Sequence, residues 1–226
     1  MCRAVPIPSI RRRPARERAA AMMADDERSA MADTPFAWDD LGKYKAGGRF
    51  IDGYPDDQRT FFAPRDDVHG LLVALLDSAQ HSIVVSMSGY DDEELSKIVQ
   101  DKLADETVYV QLSLDRSQAS GAEVKQILAR WGNDALGNSI AIGASSVHNA
   151  VAHLKIVIVD GVYMVKASAN WSLSGEQRRD NEVCLSRNAV IAAETRAILD
   201  INHDFMLKRM ARTELDVTKR YSSPGR

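Results

Sequence analysis

The chain has 226 residues, 45% of them apolar and 27% charged, with a formal net charge of −3. That is enough chain for one well-buried domain with flexible extensions, and the charge balance is no nucleic-acid signature in itself, although a local basic surface remains open. No apolar run reaches the ~18 residues that a membrane helix needs, and the two cysteines, Cys2 and Cys184, are too few for a disulfide framework.

Residues 1–33 are charged and alanine-rich, without apolar periodicity, and read as a disordered tail. Their arginines follow a short, proline-broken start, and no apolar core comes after them. A secretory signal is therefore not expected, and a cytoplasmic location is. Residues 34–58 place Trp38, Tyr44, Phe50 and Tyr54 among glycines, as an irregular arm whose rings would pack on the edge of a domain.

The folded core is expected over residues 59–212, followed by a flexible tail at 213–226. Thr60–Ala63 reads as a short strand. Asp66 and Asp67 precede an amphipathic helix over Val68–Ala79. Ser82–Ser88 is a buried strand. Gly89 breaks it, and the acidic run Asp91–Glu94 opens a second helix. Thr107–Leu114 is the next strand, ended by Asp115. Ala122–Trp131 is helical, and Ser139–Ile142 is a short strand. An Asp-Gly turn at Asp160–Gly161, between two β-rich runs, is a strong hairpin signal. Asn181–Ser186 is a strand, and Asn188 can cap a long last helix whose inward stripe reads Val190, Ala193, Ala197, Ile201, Phe205 and Lys208. Strands alternating with helices imply an α/β fold with a mixed, mostly parallel sheet and helices on both faces. There is no internal repeat.

The chemistry concentrates in Val151–Val183. His153 and Lys155 are two residues apart in an apolar run. On a strand they would share a face, with Leu154, Ile156 and Ile158 turned the other way into apolar packing. An ammonium beside an imidazole suits an anionic substrate, since one holds phosphate oxygens and the other attacks or moves a proton. A satisfied histidine beside an exposed lysine is the plainer reading of that pair alone. Asp160 is explained by its turn. Ser168 and Asn170 follow the return strand, where they can donate to a phosphate or serve as a helix cap or turn. Glu182 could orient an imidazole or simply stand exposed at a strand start. Arg178, Arg179 and Arg116 lie in loops and could contact flanking phosphates or only water.

Taken together, His153-x-Lys155-x4-Asp160, then Ser168-x-Asn170 and Asn181-Glu182, resemble the HKD motif of the phospholipase D superfamily. The layout is most similar to its dimeric bacterial HKD endonucleases. The resemblance runs from about Arg59 to Met210, with one departure: Ala167 stands where the family usually has glycine. It implies catalytic roles for His153, Lys155, Ser168, Asn170, Glu182 and Asp160, and two histidines per reaction, one from each HKD copy. This chain carries one copy, so a homodimer with His153 from both subunits is the simplest solution. His148, five residues earlier, is the rival acid within one chain. The implied activity is a metal-independent endonuclease acting on DNA or RNA through a phosphohistidine, without cofactor. The alternatives are a phospholipase D-type hydrolase of lipid phosphodiesters and a catalytically weak nucleic-acid-binding module. No stable membrane association is expected. His69, His81 and His203 read as scaffold-bound or exposed.

Overall fold

A computed structural model describes residues 36–131, 140–147 and 150–222. The tail expected over residues 1–33 and the rival acid His148 lie outside the described residues. The strands are β1 (Gln58–Ala63), β2 (Ser82–Met87), β3 (Tyr109–Asp115), β4 (Ile140–Gly143), β5 (Lys155–Val159), β6 (Tyr163–Ala167) and β7 (Asn181–Arg187). The α-helices are α1 (Val68–Asp77), α2 (Glu93–Leu103), α3 (Ala122–Trp131), α4 (Leu173–Gln177) and α5 (Ala189–Ser222). Short 3-10 helices span Trp38–Tyr44 and Arg116–Ser120.

The seven strands form one mixed sheet in the order β1-β7-β6-β5-β2-β3-β4. The expected mixed α/β class holds, but parallel pairs do not dominate. Only β2–β3 and β3–β4 are parallel; β1–β7, β7–β6, β6–β5 and β5–β2 are antiparallel. The reason is the connections. Parallel pairing needs a long crossover, which α2 and α3 provide, whereas the Asp160–Gly161 turn sends the chain straight back.

Strand alternation divides the apolar residues between two layers. Ile83, Val85, Met87, Val157, Val159 and Val165 join the main core with Leu71, Leu75 of α1 and Leu95, Val99 of α2. Val84, Ile158 and Met164 point the other way, onto Ala192 and Leu199 of α5. Helices therefore cover both faces, as expected. Helices α1 and α2 each start on a side-chain cap. Asp67 accepts from the Gly70 amide at 2.9 Å, and Asp92 accepts from the Leu95 amide at 2.8 Å.

Three expectations shift. The residues at 34–58 are not only an edge, because Trp38 and Leu41 belong to the main core and Trp38 stacks on Tyr163. Asp66 pins this segment: it pairs with Lys45 at 2.6 Å and accepts from the amides of Ala46 and Phe62. The inward stripe of α5 is Ala192, Leu199, His203 and Met206, whereas Val190 and Ile201 are exposed. And α5 continues to Ser222, beyond the expected domain end at 212. Among the described residues, no helix is long and apolar enough to cross a membrane.

Candidate active site

The topology gathers one edge of the sheet. β2 and β3 end there, β5 begins there, β6 ends there and β7 begins there. The residues just outside those ends are Ser88 after β2, Arg116 after β3, His153 before β5, and Ser168 and Asn170 after β6. Carboxyl ends of strands are the usual ligand edge of an α/β sheet, because loops there can vary while the sheet holds them rigid.

His153 is exposed and Lys155 is 7% exposed. Lys155, opposite Met87, is the first residue of β5, so the ladder fixes its backbone while His153 stands just beyond the strand. The Lys155 ammonium donates to His153 Nε2 at 3.1 Å and to the His153 carbonyl at 3.0 Å. Burial lowers the pKa of Lys155, and among the described residues no carboxylate pairs with it. A buried ammonium without an anionic partner favours an anionic ligand. The two side chains meet, as their spacing implied. Leu154, expected in apolar packing, is instead 38% exposed, because regular strand pairing starts only at Lys155.

His153 lines a cleft of about 580 Å³ with Ser86 of β2, the loop residues Ser145–Val147, and Ile198, Ile201 and Met206 of α5. The backbone next to His153 is held by Asp115. Its carboxylate accepts from the Ala152 amide at 2.7 Å and the Ser117 amide at 2.9 Å. Burial opposes ionisation of Asp115, but these amide bonds outweigh it and hold the pKa below the usual carboxylate value. Asp115 thereby ties the residue before His153 to the end of β3.

Asn170 is held from β2. Ser88 Oγ donates to Asn170 Oδ1 at 2.8 Å, which leaves the Nδ2 donor free to meet an anion. Gly89 makes room: a Cβ there would stand 2.7 Å from Asn170 Cγ. Ser168 is exposed, donates to Asn181 Oδ1 at 2.9 Å and accepts from the Glu182 amide at 3.0 Å. Asn181 donates in turn to the Gly175 carbonyl at 2.8 Å. The Ala167 side chain packs against the main core.

The remaining candidates are spread out. Glu182 is exposed on β7 and lines a separate cleft with Lys45, Arg65 and Ser168. Among the described residues no hydrogen bond joins its carboxylate to His153. Two strand spacings, roughly 10 Å, separate β7 from β5, so both side chains must turn inward to meet. Arg178 and Arg179 are exposed between α4 and β7, and Arg116 is exposed after β3. Asp160 is at the other end of β5, in the left-handed region at φ 51°. Its carboxylate accepts from the amides of Gln80, His81 and Ser82 at 2.7–3.0 Å. Within the chain it anchors the hairpin and does not reach the His153 edge. Sequence reasoning missed Ser88 and Asp115. The one available signal was their place at the ends of buried strand runs.

The PLD-like domain model of the cardiolipin synthase family matches residues 72–201. Among curated protein sequences none matches. Solved structures do. A phospholipase D family member, Nuc from Salmonella typhimurium, aligns with TM-score 0.52 and 19% identity over 65% of this chain and 93% of its own. NucT from Helicobacter pylori aligns with TM-score 0.54 and 14% identity over 65% of this chain and 95% of its own. A polyphosphate kinase from Porphyromonas gingivalis aligns with TM-score 0.51 and 10% identity over 76% of this chain, but only 29% of that larger protein. These identities establish the fold, whereas the family model spans more than half of the chain and includes the His153–Glu182 stretch. The chain belongs to the phospholipase D-like superfamily of phosphodiesterases.

Proposed function

We propose that the protein is an endonuclease that hydrolyses DNA or RNA through a phosphohistidine, in a site completed by a second copy of the chain. The observation that carries this reading is the buried Lys155 ammonium 3.1 Å from Nε2 of the exposed His153, with no carboxylate paired to it among the described residues. A phosphodiester bound at His153 takes over the Lys155 and Asn170 donors and frees the Nε2 lone pair. Nε2 attacks phosphorus, the bond to the leaving oxygen breaks, and that oxygen takes a proton from His153 of the second subunit. The same second histidine then removes a proton from water, which attacks phosphorus and breaks the phosphorus–nitrogen bond. Fixed donors around the phosphoryl oxygens are worth ~10²–10³ in rate each. Ser168 assists, Glu182 orients His153 once both turn inward, and no step passes through a metal. The exposed Arg116, Arg178 and Arg179 meet the flanking phosphates of a long polyanion.

The second copy is supported by an apolar surface beside the reacting histidine. Val147, Val151, Leu154, Ile198 and Ile201 are all exposed, and all line the cleft that holds His153. Clustered apolar surface of this kind marks an interaction site. On this reading the second histidine of a single-motif chain comes from across such a face.

The test incubates the full-length protein with plasmid, single-stranded DNA, RNA, and vesicles of choline lipid or cardiolipin. Nucleic-acid cleavage is expected, with His153→Ala falling by at least about 10³-fold. An acid-labile phosphoryl adduct on His153 should be trapped at short times. Turnover of lipid alone would replace this reading with a phospholipase. Binding of nucleic acid without turnover by the unmutated protein would replace it with a binding module.

A further inference from the structure

Helices α1, α2 and α4 bring together three side chains that the His153 reaction does not use. His69 is in the first turn of α1, Asp92 caps α2, and Glu176 lies in α4. His69 Nδ1 is 2.7 Å from Glu176 Oε2 and 3.5 Å from Asp92 Oδ2. One ligand atom from each of the three lies within 4.8 Å of the others. On the far side of the ring, Nε2 is 3.0 Å from Glu94 Oε2.

This cluster is over-supplied with negative charge, because three carboxylates surround one imidazole. Glu176 is 2% exposed, and its second oxygen, Oε1, is buried with no hydrogen-bond partner among the described residues. A buried carboxylate oxygen without a donor costs free energy that folding rarely leaves unrecovered. Burial accordingly pushes the Glu176 carboxyl up to about 7, with His69 offsetting part of the effect. Burial also opposes the His69 cation, but Glu94, Glu176 and Asp92 outweigh it and push its pKa up to about 9. One imidazole ring thus stands among three carboxyl groups, two of them on its Nδ1 side.

We propose that His69, Asp92 and Glu176 bind a divalent cation of the zinc type, which would also give the Glu176 carboxylate the partner that its second oxygen lacks among the described residues. Zinc takes one imidazole nitrogen and two carboxylate oxygens at ~2.0–2.2 Å, with water in the fourth position. Tetrahedral bonds of that length set ligand atoms roughly 3.4 Å apart, inside the range the three side chains already span. Asp92 has a free oxygen for the task, since its Oδ1 is engaged by the Leu95 amide. Glu94 accepts from Nε2–H, which holds the ring with its Nδ1 lone pair toward the ion. The imidazolium proton leaves as the metal arrives. A mixed nitrogen and oxygen set fits zinc better than magnesium or calcium, which prefer oxygen alone. The ion would lock α1, α2 and α4 to one another. Through the Gly175–Asn181–Ser168 hydrogen bonds, it would also steady the end of β6.

The test needs no substrate. Full-length protein stripped by chelator and returned to chelator-free buffer is titrated with zinc by calorimetry, and with cobalt by visible absorption. One equivalent of zinc is expected to bind and raise Tm, both in the unmutated protein and in His153→Ala, which removes the exposed imidazole of the other site. His69→Ala and Asp92→Asn should abolish the site; Asn keeps a cap for α2. Glu94→Gln, an exposed change that does not threaten folding, should weaken zinc about tenfold. The proposal is overturned by absence of zinc binding, by loss of the bound equivalent in His153→Ala, or by zinc affinity unchanged in Asp92→Asn and Glu94→Gln. A Tm rise of equal size with magnesium would overturn the assignment to zinc.

Discussion

Two aspartates do the same local job at opposite ends of the sheet, with different consequences for the site. Asp160, the aspartate of the motif, accepts three backbone amides from residues 80–82 and holds the hairpin. Charge-assisted bonds of this kind stabilise by roughly 1.5–3 kcal/mol and are not additive, so Asp160→Ala should destabilise by about 2–3 kcal/mol in chemical denaturation. The left-handed backbone at this position adds to the cost, because alanine tolerates it poorly. Activity per folded molecule should stay near that of the unmutated protein; a loss of several orders of magnitude at unchanged stability would restore a catalytic role. Asp115 instead holds the Ala152 amide beside His153. In Asp115→Asn the amide group offers one acceptor where two are needed, so either Ala152 or Ser117 faces a donor. Cleavage rate is expected to drop by about 10–100-fold with the fold retained, because small misplacements of a reacting group carry costs of that size. Acid should act the same way. The pKa of Asp115 is held below its unfolded value, so its contribution to stability is full above about pH 4 and disappears as pH falls through the folded value. The i, i+2 spacing of His153 and Lys155 pointed to their contact, although His153 stands just before the strand rather than on it. The roles of Asp115 and Ser88 were not, because each rests on a hydrogen bond to a residue 37 or 82 positions away.

At the level of elements, local signals located most pieces and tertiary contacts decided their edges. The Asp-Gly turn, the acidic start of α2 and the buried runs of β2 and β3 are all where composition and periodicity put them. His153 was placed on a strand, but pairing begins at Lys155, since Met87 is the last residue of β2 and offers no partner further along. The short helix α4 follows the return strand, where serine and asparagine fit a helix cap and a turn equally. Ser172 caps it by accepting from the Gly175 amide, and a Cβ on Gly175 would come within 2.6 Å of the Asn170 carbonyl, so this helix packs directly under the site. The largest miss is the buried face of α5. The helix has apolar residues on two faces, and periodicity cannot say which of them meets the sheet. Leu199 and Met206 go inward, while Ile198 and Ile201 are 56% and 60% exposed on the face that borders the His153 cleft. The expected stripe thus contains part of the face left open, Ile201 beside the His153 cleft. The sheet's strand order was not readable at all, because the pairing of β1 with β7 joins residues over a hundred positions apart.

For the whole molecule, one motif per chain makes a prediction that neither residue nor element can make. Suppose attack and leaving-group protonation require His153 from both subunits. A dimer holding one His153→Ala subunit then has only half of its acid and nucleophile pair, and it is inactive. Unmutated and His153→Ala chains, mixed at equal amounts and allowed to exchange by reversible unfolding, form all three dimers at random. Only the unmutated pair turns over, so activity per total protein should be about one quarter of the unmutated sample, and it should follow the square of the unmutated fraction across a mixing series. Independent sites, each complete in one chain, predict one half and a straight line. The two curves separate most clearly near the midpoint, where the difference is about twofold and well within the reach of a rate assay. A linear series would return the second acid to the chain itself and make His148 the first residue to substitute. A quadratic series would also explain why the apolar surface lies beside the reacting histidine: burying Leu154, Ile198 and Ile201 against their counterparts would be the same event that brings the second imidazole to the phosphate.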